Sequence, residues 1–300
     1  MLSVFGRGSG KEELLMKKRI IGSVLAASMV LAMAGCGSSA SNTKASAASS
    51  TQAVTAASSA ASSGSDVDYI KKKGSLIVGI TDFAPMDYKE DGSDEWIGFD
   101  ADLAREVGKD LGVDVQFVEI DWDNKILELD NKSIDVVWNG MTLTDEVTKS
   151  MACTNAYLNN AQVVVVPEDK ADKYQTVDSL KDLSFAVEAG SAGEKAAKEN
   201  NLKYTSMSSQ SDTLMEVSAG TSDASIIDLL MAGAMIGKGT SYDKLTHTVE
   251  LTTEEYGVGC RKGSDLADYI NNEFVKLYQD GTMKTIAEKY GVQDALVEQK

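Results

Sequence analysis

The chain has 300 residues, 43% of them apolar, and a formal net charge of −17. That length accommodates two domains with cores of their own. The acidic balance excludes a nucleic-acid partner held through phosphate contacts, and a solvated acidic surface says little more about mechanism.

Residues 1–35 read as an address rather than as fold. Lys17-Lys18-Arg19 is a basic n-region, Ile20 to Ala34 a short apolar run, and Leu31-Ala32-Met33-Ala34-Gly35-Cys36 closes it with small residues before a cysteine. That order is a secretory signal peptide, and the run is shorter than the roughly 20 residues a membrane span needs. Its Gly-Cys end resembles the bacterial lipoprotein signal, which implies cleavage before Cys36 and lipidation of its sulfur. The membrane is then an expected partner, reached through the lipid anchor. Met16 stands directly ahead of the basic n-region and is the expected start of the natural chain. Five of the 29 basic and two of the 46 acidic residues precede Cys36, leaving 24 and 44 in the mature chain, net −20.

Residues 36–66 are almost entirely Ser, Ala, Thr and Gly, too poor in apolar surface to offset the entropy of ordering. They read as a flexible linker with a reach of about 30 Å. Such a tether suits a protein exported to the outer face of the cytoplasmic membrane, at a Gram-positive cell surface.

With Cys36 assigned to lipid, Cys153 and Cys260 remain, and they cannot form a metal site alone. The single histidine, His247, sits in a polar segment, so a Cys/His zinc cluster is excluded and a Ser-His triad would rest on that residue alone. No cofactor is expected.

From Gly74 onward strand-like and helix-like runs alternate, the pattern of an α/β fold with much parallel sheet. Residues 76–80 read as a strand. The helix over 98–111 places Phe99, Leu103, Val107 and Leu111 on one face. A strand over 113–120 and a short helix over 123–130 follow. Residues 134–149 read as an apolar strand that stops on Asn139-Gly140 and passes into a Thr/Asp-capped turn, so that backbone N–H groups and hydroxyls collect at its carboxyl edge. The β-branched run 161–167, stopped by Pro167, is long enough to cross between two lobes.

A second unit reads as strand 184–188, small-residue turn 189–193, helix 194–200, strand 203–207, helix 211–219, strand 223–227 and helix 228–236. Residues 249–261 return in extended form. The helix over 264–279 aligns Leu266, Ile270, Phe274 and Leu277, and 282–290 is a last short helix.

Five segments then carry a resemblance. They are Gly98-Phe99-Asp100-Ala101-Asp102-Leu103, Ile120-Asp121-Trp122-Asp123, residues 138–146, Glu188-Ala189-Gly190-Ser191 and Tyr256-Gly257-Val258-Gly259. In order and spacing, 76–292 resembles the extracellular solute-binding proteins (family 3) of polar amino-acid ABC importers. The resemblance implies a two-lobed type II periplasmic-binding-protein fold, each lobe a mostly parallel sheet flanked by helices. Lobe 1 would hold 67–162 and 257–300, lobe 2 would hold 163–256, and crossover strands near 160–166 and 254–260 would act as hinge. It also implies a monomeric, non-catalytic receptor. Its partners would be a small polar solute, an amino acid or close analogue, and the permease subunits of an ABC importer.

Site residues follow position by position. Phe83 and Trp122 match the aromatic walls around the ligand, the alternative being core packing. Asn139, Gly140 and Thr142 match the lobe 1 segment whose backbone and hydroxyl meet the ligand. Ser191 offers a hydroxyl and a helix N-terminus to an anion, or is a plain N-cap. Asp228 matches the carboxylate that receives the ligand ammonium, or caps the helix it begins. Asp82 and Glu188 are further acidic candidates at the same crevice.

One departure stands out. Family members carry arginine, a bidentate partner for the ligand α-carboxylate, where this chain has Val147. Either Lys149 reaches in as a point charge, or the ligand is an amine without an α-carboxylate, a cation facing Asp228, Asp82 and Glu188 against Phe83 and Trp122. A dehydratase-like enzyme on the same fold is the rival of another class. Cys153 and Cys260, both beside the implied hinge, are either a disulfide or two buried thiols.

Overall fold

The computed structural model describes residues 65–300. The signal, Met16, Cys36 and nearly all of the linker lie outside the described residues.

The globular part begins with helix α1 at Asp66–Lys73. Ser65 Oγ accepts from the Asp68 amide and Gly74, at φ +79°, closes the C-terminus. One apolar side chain, Ile70, is buried. Charge does the rest: Arg261 bonds Asp66 at 3.0 Å, and Lys73 meets Asp135 at 2.5 Å. The sequence places 67 onward in lobe 1 but shows no helix before Gly74, because a single buried residue gives no periodicity.

Two sheets follow. The first is built from β1 (Ser75–Ile80), β2 (Asp114–Glu119), β3 (Val136–Val137), β4 (Ala152–Cys153) and β10 (Gly259–Cys260), in the order β2-β1-β3-β10-β4. β1, β2 and β3 are parallel, and β10 is antiparallel to β3 and β4. The second contains β5 (Leu158–Pro167), β6 (Ser184–Glu188), β7 (Lys203–Met207), β8 (Ala224–Asp228) and β9 (Leu245–Tyr256), in the order β7-β6-β8-β5-β9. β6 is parallel to β7 and β8, and β5 runs antiparallel to β8 and β9.

Helices cover both faces of each sheet, as parallel pairing requires. On one face of the first sheet lie α2 (Phe99–Leu111), α8 (Leu266–Gln279) and α9 (Thr282–Tyr290). Every residue of the two stripes read from the sequence is buried: Phe99, Leu103, Val107 and Leu111 on α2, and Leu266, Ile270, Phe274 and Leu277 on α8. The other face packs Trp122, Leu129, Ile134, Val147 and Met151 around α3 (Lys125–Asp130) and α4 (Asp145–Ser150). On the second sheet, α5 (Ala192–Glu199) covers one face, while α6 (Gln210–Ala219) and α7 (Leu229–Met235) bury Leu214, Val217 and Met231 on the other.

The second crossing falls within the expected 254–260, and the first lies earlier than 160–166. β5 already pairs with β9 at Leu158↔Tyr256, so the run 161–167 belongs wholly to the second sheet. The chain passes between sheets at 154–157 and again at 257–258, where β4 gives way to β5 and β9 to β10. The β-branched run is buried on both faces because β5 is flanked by β8 and β9; its length reflects a central strand.

Candidate functional site

A cleft of about 370 Å³ opens between the two sheets, past the carboxyl ends of β1, β3, β6 and β8. Its first-sheet wall comes from Phe83, Trp122, Lys125 and the 139–147 segment, and its second-sheet wall from Glu188, the 190–198 turn and helix, Gln210 and Asp228.

Asn139 is committed to the scaffold. Its Oδ1 accepts from the Thr81 amide at 2.9 Å and hydroxyl at 2.8 Å, while its Nδ2 donates to Thr81 O at 3.0 Å and Asp87 Oδ2 at 2.8 Å. Gly140 is likewise spoken for: its N–H donates to Asp100 Oδ2 at 2.6 Å. Its φ is +54°, and a Cβ there would stand 2.5 Å from the Phe83 ring, so glycine is needed for both reasons. Both residues line the cleft as expected, with the Asn139 amide group and the Gly140 N–H turned inward, and they set the floor on which Phe83 rests. Thr142 Oγ1 donates to Glu254 Oε1 at 2.9 Å and so joins the two walls.

Phe83 and Trp122 both line the cleft and are nearly enclosed, Phe83 edge-on to Tyr256 with centroids 6.4 Å apart. Core packing and wall-building are therefore one role at these positions.

Val147 lines the cleft from α4 as part of the apolar cluster around Trp122, so an aliphatic patch occupies the position where the resemblance implies a guanidinium. Lys149 does not replace it. Its ammonium pairs with Asp145 at 3.1 Å on the outside of α4, with 74% of its side chain exposed. Two residues along a helix turn about 200°, so a helix that faces Val147 into the cleft faces Lys149 away. The two arginines of the described residues are also elsewhere, Arg105 on Asp102 and Trp96 O, Arg261 on Asp66 and Asp135.

The second wall is acidic. Asp228 begins α7 without capping it; Oδ1 accepts from Asn160 and from Tyr256 OH, each at 2.5 Å, and Oδ2 from Gln210 at 2.5 Å. Glu188 ends β6, is 2% exposed, and its Oε1 is buried without a hydrogen-bond partner. Burial, then the charge of Asp228, pushes Glu188 up to about 8. Burial, then the neighbouring Glu254, does the same to Asp228, also to about 8. Ser191 Oγ accepts from the Glu194 amide at 3.1 Å, an N-cap that also borders the cleft. Asp82 is exposed and outside the lining; it receives Ser211 Oγ at 3.3 Å on both its carbonyl and its carboxylate, a bridge between α6 and the 81–87 loop.

One cleft residue the sequence reading passed over is Lys125, only 7% exposed. Its Nζ donates to Trp122 O at 3.1 Å and, across the cleft, to Gly190 O at 3.0 Å, and lies 4.9 Å from the Trp122 ring centroid. Burial pulls its pKa down. The Ile120–Asp123 motif stops two residues short of it, and a lysine opening a helix looks like surface. Gln210, Asn160 and Tyr256, the partners of Asp228, were missed as well because three separate elements supply them.

Beneath the cleft, Asp87 and Asp100 form a buried acidic pair. Burial raises Asp100 to about 7, and burial with the charge of Asp100 raises Asp87. Asp100 is held by Gly140 N–H and by Tyr157 OH at 2.8 Å.

Cys153 and Cys260 are both free. Gly259 is opposite Cys153 in the antiparallel β10–β4 pair, so Cys260 points to the other face of the sheet. Cys153 packs with Met141 and Met151, while Cys260 enters the core beneath α8. His247 is exposed on the edge strand β9 and has no part in the cleft. Among the described residues no cluster of His, Cys, Asp or Glu could hold a metal ion, and no helix is long and apolar enough to cross a membrane.

Comparison with known proteins agrees with this geometry. The family model of bacterial extracellular solute-binding proteins, family 3, matches residues 76–293. The arginine-binding extracellular protein ArtP of Bacillus subtilis is 31% identical over 238 residues, 76% of this chain and 90% of that protein. Among solved structures, a substrate-binding protein of an ABC uptake transporter from Streptococcus pneumoniae with bound histidine shares 29% identity at TM-score 0.71, over 79% of this chain and all (100%) of that one. An ancestral amino acid-binding protein described as a precursor of cyclohexadienyl dehydratase shares 34% identity at TM-score 0.69, over 75% of this chain and 99% of that one.

Proposed function

This chain belongs to the bacterial extracellular solute-binding proteins of family 3, and we propose that it is the lipid-anchored receptor of an ABC importer for an L-α-amino acid. Cys36 carries the anchor, residues 37–64 are the tether, and the protein acts as a monomer that delivers its solute to the permease.

The observation that carries the ligand class is Glu188 Oε1, buried and unpartnered beside Asp228 on the second wall. Two enclosed carboxyls with no lysine or arginine bound to them form a receptor for an ammonium. Asp228 already has three donors, so Glu188 makes the new bond and Asp228 supplies the second charge. Phe83 and Trp122 enclose the rest of the solute. The arginine and histidine named for the two relatives above are ligands of this kind.

Uptake works by population shift. Ligand contacts that exist on both walls only when the lobes meet favour the closed state by their differential free energy, and the permease reads that state. We read the chain as non-catalytic despite its likeness to the dehydratase precursor, because the cleft offers no histidine and its acids face one another.

A second reading is favoured by one observation, the aliphatic Val147 where a guanidinium is expected: an amine without α-carboxylate would need no such anchor. Isothermal calorimetry across the L-amino acids, L-cystine and their decarboxylated amines decides between the two. Saturable heat with an amino acid is expected. Tight binding of an amine, with no heat from any amino acid, overturns the first reading.

A further inference from the structure

Three lysines line the cleft, and two are neutralised: Lys195 by Glu199 at 2.6 Å and Lys198 by Glu194 at 2.8 Å. Lys125 is the exception. No carboxylate lies within ion-pair distance of it among the described residues, although its ammonium is enclosed. It gives two of its three N–H groups to carbonyls, Trp122 O on its own wall and Gly190 O on the opposite one. Glu188, Glu146, Asp123 and Glu194 act on its charge only from beyond ion-pair distance, and a buried cation with no anion in contact is costly. An anion reaching the third N–H would remove that cost.

Lys125 opens α3, stacks on Trp122, and shares the Trp122–Val147 side of the cleft. The acids Glu188 and Asp228 belong to the other sheet. The enclosed Lys125 ammonium on the first wall, where Asp123 and Glu146 also line the cleft, therefore lies opposite the enclosed carboxyls Glu188 and Asp228 of the second. A zwitterion with its two charges on neighbouring groups satisfies both walls at once. A simple amine satisfies only the second.

We propose that Lys125 is the α-carboxylate anchor of this receptor, taking over from the α4 position that Val147 occupies, and that through Gly190 it couples carboxylate binding to lobe closure. This rests on the amino-acid reading above. Because Nζ holds Gly190 O from across the cleft, the same ammonium bonds ligand and opposite lobe together only in the closed form. An open lobe leaves it one partner short. Lysine also presents a single point charge in place of the planar fork of arginine, so selectivity for carboxylate over other hydrogen-bond acceptors is electrostatic.

The test compares the amino acid selected by calorimetry with its methyl ester, on wild type, Lys125→Met and Lys125→Arg. Wild type is expected to prefer the acid by about 100-fold, the scale of a buried charge contact. Lys125→Met should prefer the acid by less than about threefold, having lost charge recognition, while loss of its bond to Gly190 O weakens ester and acid by a common factor. Lys125→Arg should restore most of the preference. Small-angle scattering supplies an independent readout: the acid compacts wild type but not Lys125→Met. Retention of the full acid preference in Lys125→Met overturns this assignment alone. A wild type that binds ester and acid equally overturns the assignment and its parent reading together. Loss of ester and acid binding alike, with Lys125→Arg failing to restore either, shows a merely structural lysine and also overturns it.

Discussion

Gly190 on the second wall and Asp123 on the first meet so closely that a Cβ on Gly190 would stand 2.8 Å from the Cα of Asp123. Real Cβ atoms do not approach backbone that closely, so the glycine is what lets the two lobes touch. Its φ of +69° also favours glycine. Gly190→Ala should therefore hinder closure while leaving the open form folded. Calorimetry is expected to show ligand affinity reduced about tenfold or more, against about 1–2 kcal/mol of strain in the lobe itself. Unchanged affinity would show that the lobes close without this contact.

Glu188 should be the most sensitive acid in the cleft. Glu188→Gln keeps its shape and removes the charge, so amino-acid affinity should fall by about 2–4 kcal/mol, the range for one partner of a buried charge pair. The ligand-free variant should be more stable than wild type above about pH 8, because a buried carboxylate no longer has to ionise. Titration calorimetry and thermal melts read the two effects separately. Equal ligand affinity in both proteins would move the ammonium site off Glu188.

The pH dependence has a definite sign. Burial holds Glu188 and Asp228 up at about 8, against about 4 for carboxyls of the unfolded chain. Between those values the folded protein carries protons that the unfolded chain has lost, so the stability of the ligand-free protein falls as pH rises from about 5 to about 8. An ammonium binds the ionised carboxyls, so ligand uptake releases protons and apparent affinity rises across the same interval. Calorimetry in two buffers of different ionisation enthalpy counts the protons; proton uptake would contradict the scheme.

Val147→Arg restores the fork at the α4 position. Since Val147 borders the cleft, the guanidinium has an exit from the apolar cluster. Affinity for the amino acid over its methyl ester should rise about tenfold or more, with stability reduced by about 1–3 kcal/mol for the added bulk. A stable variant with no gain would show that the ligand carboxylate lies out of reach of α4.

The thiols offer a simple check on the first sheet. Burial pushes both Cys153 and Cys260 up, Cys260 the more strongly. In a Cys36→Ser chain, denaturation without reductant should expose two thiols per molecule, while in the native state Cys260 resists alkylation. A count of zero would mean a disulfide and a different strand register.

Much of this architecture was legible because periodicity survives in one dimension. The α2 and α8 stripes follow directly from residues four or three apart. β6 and β7 were bounded correctly at 184–188 and 203–207 because turn residues flank both. What failed did so for identifiable reasons. α1 has one buried residue and is held by Arg261 and by Asp265, about 200 residues away. The run 161–167 looks the same whether it bridges two sheets or sits inside one. Asn139 and Gly140 were placed correctly at the cleft, but their hydrogen bonds turn inward to Thr81, Asp87 and Asp100.

By itself the sequence determined the family, the alternation of strands and helices, and the absence of an arginine at position 147. Those are properties of residue type and local order. Only the tertiary structure decided that Lys149 faces solvent, that Glu188 is the unpartnered acid, and that Lys125 is the enclosed, unpaired cation of the cleft. The reason is physical: a charge is a surface ornament or a binding determinant according to its solvation and its opposite neighbours, and both are set by which lobe folds against it.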